Sequence, residues 1–223
     1  EIGYSENFDI EITNSTDKKK REKYVNFLFK KMQREQGLLE RECDRMIRND
    51  RVAWASCMVS CGDADGAVTG NTRRYGASLE KITKVVDPRP GEIMFGLNMI
   101  VNKGKTVFVG DTSVHEYPSS EQLAEIAISA ARVVRLFGFD PKVAFVSHST
   151  FGQPLTSRTK HIKNAVDILK DKNVDFKFDG DMQPDVALNE QYKELYPFSE
   201  IVGNANILIM PGQHSAAISY KMM

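Results

Sequence analysis

The stretch Phe178-Asp179-Gly180-Asp181-Met182-Gln183-Pro184-Asp185-Val186-Ala187-Leu188 ends a β-rich run with acids and a glycine, then opens a helix at its proline. Open α/β sheets place ligand sites at that edge, outside the carboxyl ends of strands. A similar acid–glycine turn, Gly62-Asp63-Ala64-Asp65-Gly66, stands earlier in the chain. Two such turns imply a cleft lined by strand ends.

Upstream of this stretch, residues 176–178 read as a strand, 159–170 as an amphipathic helix, 148–157 as a Gly/Pro/Ser/Thr loop and 143–147 as a buried strand. Residues 121–137 form a long helix that Ser119 or Ser120 caps and Gly138 ends. Apolar runs at 94–101 and 106–110 flank Lys103-Gly104 and read as a hairpin. Downstream, 207–210 is the last strand, and 215–223 reads as a helix interior.

Nearer the start, 8–12 reads as a strand followed by a charged helix. Ser15 or Thr16 caps that helix, its apolar stripe is Tyr24, Phe27, Leu28 and Met32, and Gly37 ends it. A helix over 38–48 follows, and Asp50 caps a more apolar one that runs through Trp54 and Met58 to Gly62. This alternation predicts an α/β fold with largely parallel sheets and one antiparallel pair. The Pro/Gly-rich run Val86-Asp87-Pro88-Arg89-Pro90-Gly91 is the expected seam, giving lobes over 1–86 and 87–223.

At 223 residues, 41% hydrophobic and 27% charged, the chain can bury a substantial core. Its 30 Lys+Arg balance 30 Asp+Glu. With no net field, nucleic acid and anionic membranes are not expected partners, and an anionic ligand needs a local site. The apolar runs are too short to span a bilayer. Cys43, Cys57 and Cys61 lack a framework spacing, so free thiols in a reducing, cytoplasmic compartment are expected. Both ends read as cut, so a piece of a larger protein is expected.

Four segments carry candidate chemistry. In the first, 63–75, glycines permit close backbone approach, Thr69, Asn71 and Thr72 add polar groups, and Arg73 and Arg74 can clamp phosphate. A polar turn with a solvated arginine pair is the plainer alternative. The second, Ser147-His148-Ser149-Thr150-Phe151-Gly152-Gln153, follows a buried strand and makes an anion-binding nest or a self-bonded loop. In the third, Asp111 can orient His115 as a general base, or the two form a structural pair. In the fourth, Asp179 and Asp181 can orient an attacking thiol or bind a cation, and Asp185 reads as a helix cap. The four histidines show no metal-ligand spacing, so no metal is expected in this part.

The stretches 62–75, 107–112, 143–154, 175–188 and 196–211 together resemble the phosphate acetyl/butyryltransferase family over nearly the whole chain. Residues 85–91 make the chain most similar to the phosphotransacetylase-like C-terminal part of bacterial hybrid malic enzymes. The resemblance implies two αβα lobes with a cleft between them, a fold related to isocitrate dehydrogenases. It implies CoA, acetyl-CoA or acyl phosphate in that cleft, at Thr69, Asn71, Arg73, Arg74, Ser147, Ser149, Thr150, Gly152, Asp179 and Asp181. It implies a homodimer or higher oligomer, and an upstream malic domain in the same chain that uses NADP with Mg or Mn. In active members CoA thiolate attacks the acyl phosphate carbonyl.

Three departures are visible. Glu80 stands where active members carry an arginine before a proline, the hairpin loop lacks an expected cysteine, and the family's Ser-Arg segment is expected beyond Met223. The expected function is therefore a catalytically silent module that binds acetyl-CoA as an allosteric regulator and supports oligomerisation, with no residue assigned as catalytic. The alternative is a working phosphate acetyltransferase.

Overall fold

Capped amphipathic helices make up the start of the chain, and short β-branched runs between turns make up a sheet further on. The structure, a computed structural model, describes residues 11–70 and 72–223, with Lys193 by its backbone alone. The chain divides into two units, Glu1–Asp87 and Pro88–Met223.

The described residues of the first unit form helices α1 (Lys18–Gln36), α2 (Glu40–Asn49), α3 (Arg51–Ser60) and α4 (Tyr75–Val85). The strand expected at 8–12 falls mostly outside the described residues, and Glu11 and Ile12 are not strand. Asp17 caps α1 by accepting from the Lys20 amide at 3.1 Å. Ser15 and Thr16, the expected caps, instead donate to the Arg48 carbonyl and the Asn14 side chain. Gly37, at φ 65°, ends the helix in the left-handed conformation that glycine adopts without strain.

Tyr24, Leu28 and Met32, four residues apart on α1, bury one stripe against Cys43, Ile47, Trp54 and Cys57. Tyr24 meets Trp54 edge-on, with ring centroids 4.9 Å apart. The Tyr24 hydroxyl donates to Asp63 at 2.8 Å, and burial followed by this bond pushes its pKa up. Lys23 also reaches Asp63, at 2.7 Å. The carboxylate of the early acid–glycine turn thus pins that turn to α1.

The second unit runs β1 (Leu97–Asn102), β2 (Lys105–Gly110), α5 (Ser120–Leu136), β3 (Lys142–Val146), α6 (Ser157–Asp171), β4 (Lys177–Met182), α7 (Pro184–Leu188), α8 (Glu190–Lys193), β5 (Ile207–Ile209) and α9 (Gln213–Met222). The five strands order as β1-β2-β5-β3-β4. Among the described strands only β1 and β2 pair antiparallel. Their connection, Lys103-Gly104, has φ of 48° and 76°, the two positive values of a type I′ hairpin turn. This is the α/β class with a largely parallel sheet that the alternation predicts.

Strand alternation divides the core. Phe108, Phe145, Ile207 and Ile209 face α5 and α6, packing on Leu123, Ile126, Ile162 and Leu169. Val109, Ala144, Val146 and Leu208 face the other way, onto Val186, Ile201 and Ala216. Ser119 caps α5 with Gln122 in a reciprocal box, and Thr156 caps α6, which begins two residues before the predicted start.

The 178–188 stretch corrects one expectation. Its acids do not form a turn: β4 continues through Asp179, Gly180 and Asp181, with Ala144 opposite Asp179 and Phe145 opposite Gly180. Extended backbone holds there because both carboxylates find donors inside the fold. Gly180, at φ 151°, lies flat on Phe145, and an added Cβ would sit 2.7 Å from the Phe145 Cβ and 2.8 Å from its carbonyl oxygen.

Gly180→Ala is expected to destabilise the second unit by roughly 3 kcal/mol, through overpacking against backbone and a φ that side chains rarely adopt. Urea unfolding followed by circular dichroism checks this. In the first unit, burial pushes the Cys57 thiol from 9.0 up to about 12. The folded state therefore prefers the protonated thiol. That stability is fully present below pH 9 and is lost towards pH 12, at about 1.4 kcal/mol per pH unit, as the unfolded thiol ionises. Thiol-specific reagent at pH 8 is expected to leave Cys57 unmodified until the first unit unfolds.

Candidate functional site

The carboxyl ends of β3 and β5 open into a cavity of about 1200 Å³ within the second unit. Val146 and Ser147 end one wall, and Met210 to Ser215 supply another. The starts of α5, α6 and α9 meet there through Ser119, Ser157 and Gly212. The α5 and α6 ends are closed by their own caps, whereas Gly212 offers α9 no side-chain cap. Amides at such an end favour an anion.

Side chains add to that preference. Arg158, exposed in the first turn of α6, is the one arginine or lysine among the described lining residues, and Glu116 is the one acid. His148 and His214 are exposed at the mouth. His161 belongs to the wall: its Nε2 donates to the Pro118 carbonyl at 2.8 Å, and its Nδ1 lies 3.0 Å from the Ser120 hydroxyl. Both ring nitrogens are thus taken up in joining α5 to α6.

Of the residues singled out from sequence, the structure brings together those after β3. Ser147 and Ser149 are buried with hydroxyls 3.0 Å apart. Ser149 donates to the buried Asp181 carboxylate, and the Gly152 amide donates to its other oxygen at 3.1 Å. Thr150 Oγ1 accepts from the Gln183 amide at 3.3 Å. Asp181 therefore spans β4 to the loop over 147–153. Ser147 and His148 alone of that loop reach the cavity wall.

Asp179 has a different task. It accepts from the Gly180 amide and from the Glu200 amide, each at 2.9 Å, tying down the segment after α8. Asp185 does not cap α7 with a side-chain bond to the helix start; it accepts from the Val186 amide at 3.0 Å. Asp111 is buried and accepts from the amides of Gly96, Ser113, Val114 and His115, and from His115 Nδ1 at 2.7 Å. That pair closes the loop after β2.

In the first unit, Arg73 donates to Asp50 Oδ2 at 2.6 Å, while Asp50 Oδ1 caps α3 through the Val52 amide at 2.9 Å. Arg74 is exposed and its side chain has no hydrogen bond among the described residues. Thr69 borders a small apolar hollow with Val52, Val59 and Ile82. Asn71 lies outside the described residues. Glu80 is exposed on α4, where a 2.6 Å bond from Lys84 holds its carboxyl below the ordinary range.

Sequence reasoning missed Arg158 and His214. Starting α6 at Thr159 left Arg158 in a loop, and reading 215–223 as a helix interior hid the α9 start beside His214. The Pro211-Gly212 pair ahead of a helical run was the available signal. Among the described residues no cluster of three or more His, Cys, Asp or Glu could hold a metal ion. No described helix is long and apolar enough to cross a membrane.

A largely parallel sheet whose strand ends open on such a cavity is the ligand-site architecture of open α/β proteins. The chain belongs to the phosphate acetyl/butaryl transferase family, whose pattern matches residues 3–223. It is 45% identical over 214 residues to the NADP-dependent malic enzyme of Rhizobium meliloti (strain 1021), a match that takes in 96% of this chain and 28% of that protein. It is 31% identical to the phosphate acetyltransferase of Clostridium acetobutylicum, covering 97% of this chain and 68% of that one. The fold matches the EutD phosphotransacetylase from Staphylococcus aureus with a TM-score of 0.84 at 24% identity, over 96% of this chain and 66% of that one. The chain thus corresponds to a transferase-family part of its malic-enzyme relatives and spans about a quarter of their length.

Ser149→Ala is expected to leave the Asp181 carboxylate short of a donor. A loss of about 2 kcal/mol in the second unit's stability should follow, with faster amide exchange over 148–153. Urea titration and hydrogen-exchange mass spectrometry read the two effects.

Proposed function

We propose that this chain binds acetyl-CoA or CoA and acts as a regulatory module without acyl transfer, inside a longer chain that oxidatively decarboxylates malate with NADP and a divalent metal. The observation that carries this reading is Glu80. Acyl transfer from acetyl phosphate needs cations on the phosphate as charge shifts onto it. At the position where the family resemblance expects an arginine, the chain has a carboxylate kept ionised by Lys84. Arg73 is already paired with Asp50.

Binding needs less than turnover. The cavity of the second unit has room for part of a nucleotide thioester, one arginine and an uncapped helix start suited to an anion. In this reading Ser147 and His148 contact the ligand. Ser149, Thr150, Gly152 and Asp181 hold the loop that presents them, and Asp179 fixes the backbone behind it. Thr69, Asn71 and Arg74 are the first unit's candidate contacts, with Arg73 available only if it leaves Asp50. Regulation by such a ligand requires that malate or NADP change its affinity by the same factor.

A second reading, a working phosphate acetyltransferase, is favoured by the 31% identity to the Clostridium acetobutylicum enzyme.

With the full-length protein, acetyl-CoA is expected to lower malate oxidation, and CoA with acetyl phosphate is expected to form no thioester above background. Arg158→Ala should raise the half-effective acetyl-CoA concentration about tenfold, equivalent to about 1.4 kcal/mol. Malate oxidation indifferent to acetyl-CoA would sink the regulatory reading. Robust thioester absorbance would establish the transferase instead.

A further inference from the structure

His161 joins the cavity wall through three short contacts, and the hydrogens available to them decide which charge state fits. Nε2 lies 2.8 Å from the Pro118 carbonyl oxygen, Nδ1 lies 3.0 Å from Ser120 Oγ, and the same Oγ lies 2.8 Å from the His161 carbonyl oxygen. The Pro118 carbonyl can only accept, so Nε2 carries a hydrogen. The Ser120 hydroxyl has a single hydrogen to donate. Given to the carbonyl, the shorter contact, it leaves a neutral ring facing Oγ lone pair to lone pair. Given to Nδ1, it leaves two oxygens 2.8 Å apart with no hydrogen between them. A neutral ring thus brings two hydrogens to three contacts. An imidazolium brings the third: Nδ1–H donates to Ser120, and Ser120 donates to the carbonyl. Turning the ring over would set carbons against both oxygens.

The charges around the ring divide. Ser120 is the first residue of α5, so the ring touches a helix start, which disfavours a cation. Arg158, three residues earlier on α6, lines the same cavity and also disfavours one. Glu121 favours it. Its carboxyl is held below the ordinary range first by its own backbone amide, then by Ser119, and the charge of His161 adds to the effect. Glu116 before α5, His148 after β3 and His214 on α9 complete the titratable groups that line the cavity with the ring. An anion in the cavity offsets Arg158 and the helix start, and so favours the imidazolium that the hydrogen bonds require.

We propose that the cavity takes up its anion together with a proton, and that His161 holds the proton as an imidazolium bonded to Ser120 and Pro118. Bound anion strengthens proton binding at His161, and by reciprocity ligand affinity rises by the same factor as pH falls through the range where histidines titrate. Acetyl-CoA as that anion rests on the function proposed above, whereas the coupling requires only a phosphate-bearing ligand.

Deuterium exchange at the histidine ring C2 position, read by mass spectrometry from about pH 5 to about pH 9, follows each histidine of the full-length protein separately. Without ligand, Ser120→Ala should weaken proton binding at His161 about tenfold and leave His148 and His214 unchanged. Ser120→Thr, which keeps a hydroxyl, should titrate like the parent. A serine that donates to a neutral ring predicts the opposite sign, so unchanged or stronger proton binding at His161 in Ser120→Ala would overturn the proposal. Saturating pyrophosphate and saturating acetyl-CoA should each strengthen proton binding at His161 about tenfold. If neither moves His161, the coupling is absent. If pyrophosphate moves it while acetyl-CoA gives no binding heat, the coupling stands and the acetyl-CoA reading of the cavity falls. If acetyl-CoA binds and leaves His161 unmoved, the coupling falls and that reading stands.

Discussion

One buried carboxylate organises the edge of the second unit on which its cavity depends. Asp181 lies in β4, one residue before its end, and its two oxygens accept from Ser149 and from the Gly152 amide. A desolvated carboxylate is tolerable only with donors on it, so the loop after β3 has to fold back over β4. Ser147 and His148, at the start of that loop, are thereby held at the cavity wall. Asp179, two residues earlier on the same strand, anchors the segment after α8 in the same way. The acids of this strand position backbone, and the cavity receives its charge from elsewhere.

That division explains what could be read from the residues. The hairpin, the α5 cap at Ser119 and the α3 cap at Asp50 are local, set by turn chemistry and single side chains, and they stand where expected. The 178–188 stretch was misread because acids and glycine favour turns when solvated. Here Ser149, Gly152 and Glu200 supply donors from distant positions, and no local rule anticipates them. The α1 cap moved to Asp17 because Thr16 bonds to Asn14 instead.

The candidate site was legible only in part, for a related reason. Ser147 could be found by its place after a buried strand. Arg158 and His214 become lining residues only when the starts of α6 and α9 converge, which depends on the strand order β2-β5-β3. β5 is last in sequence yet central in the sheet, so α9 follows directly from its middle. Arg73, prominent in sequence as half of an arginine pair, is instead bonded to the residue that caps α3.

Trp54 is the only tryptophan in the chain, and it lies buried against Tyr24 in the first unit. Its indole emission is therefore a built-in optical label for that helical unit alone, since the sheet-containing unit has no such chromophore. Far-ultraviolet dichroism sees both units, so comparing the two signals during denaturation separates their melting without any introduced dye. Coincident curves would mean that the halves unfold as one cooperative body, and staggered curves would rank them.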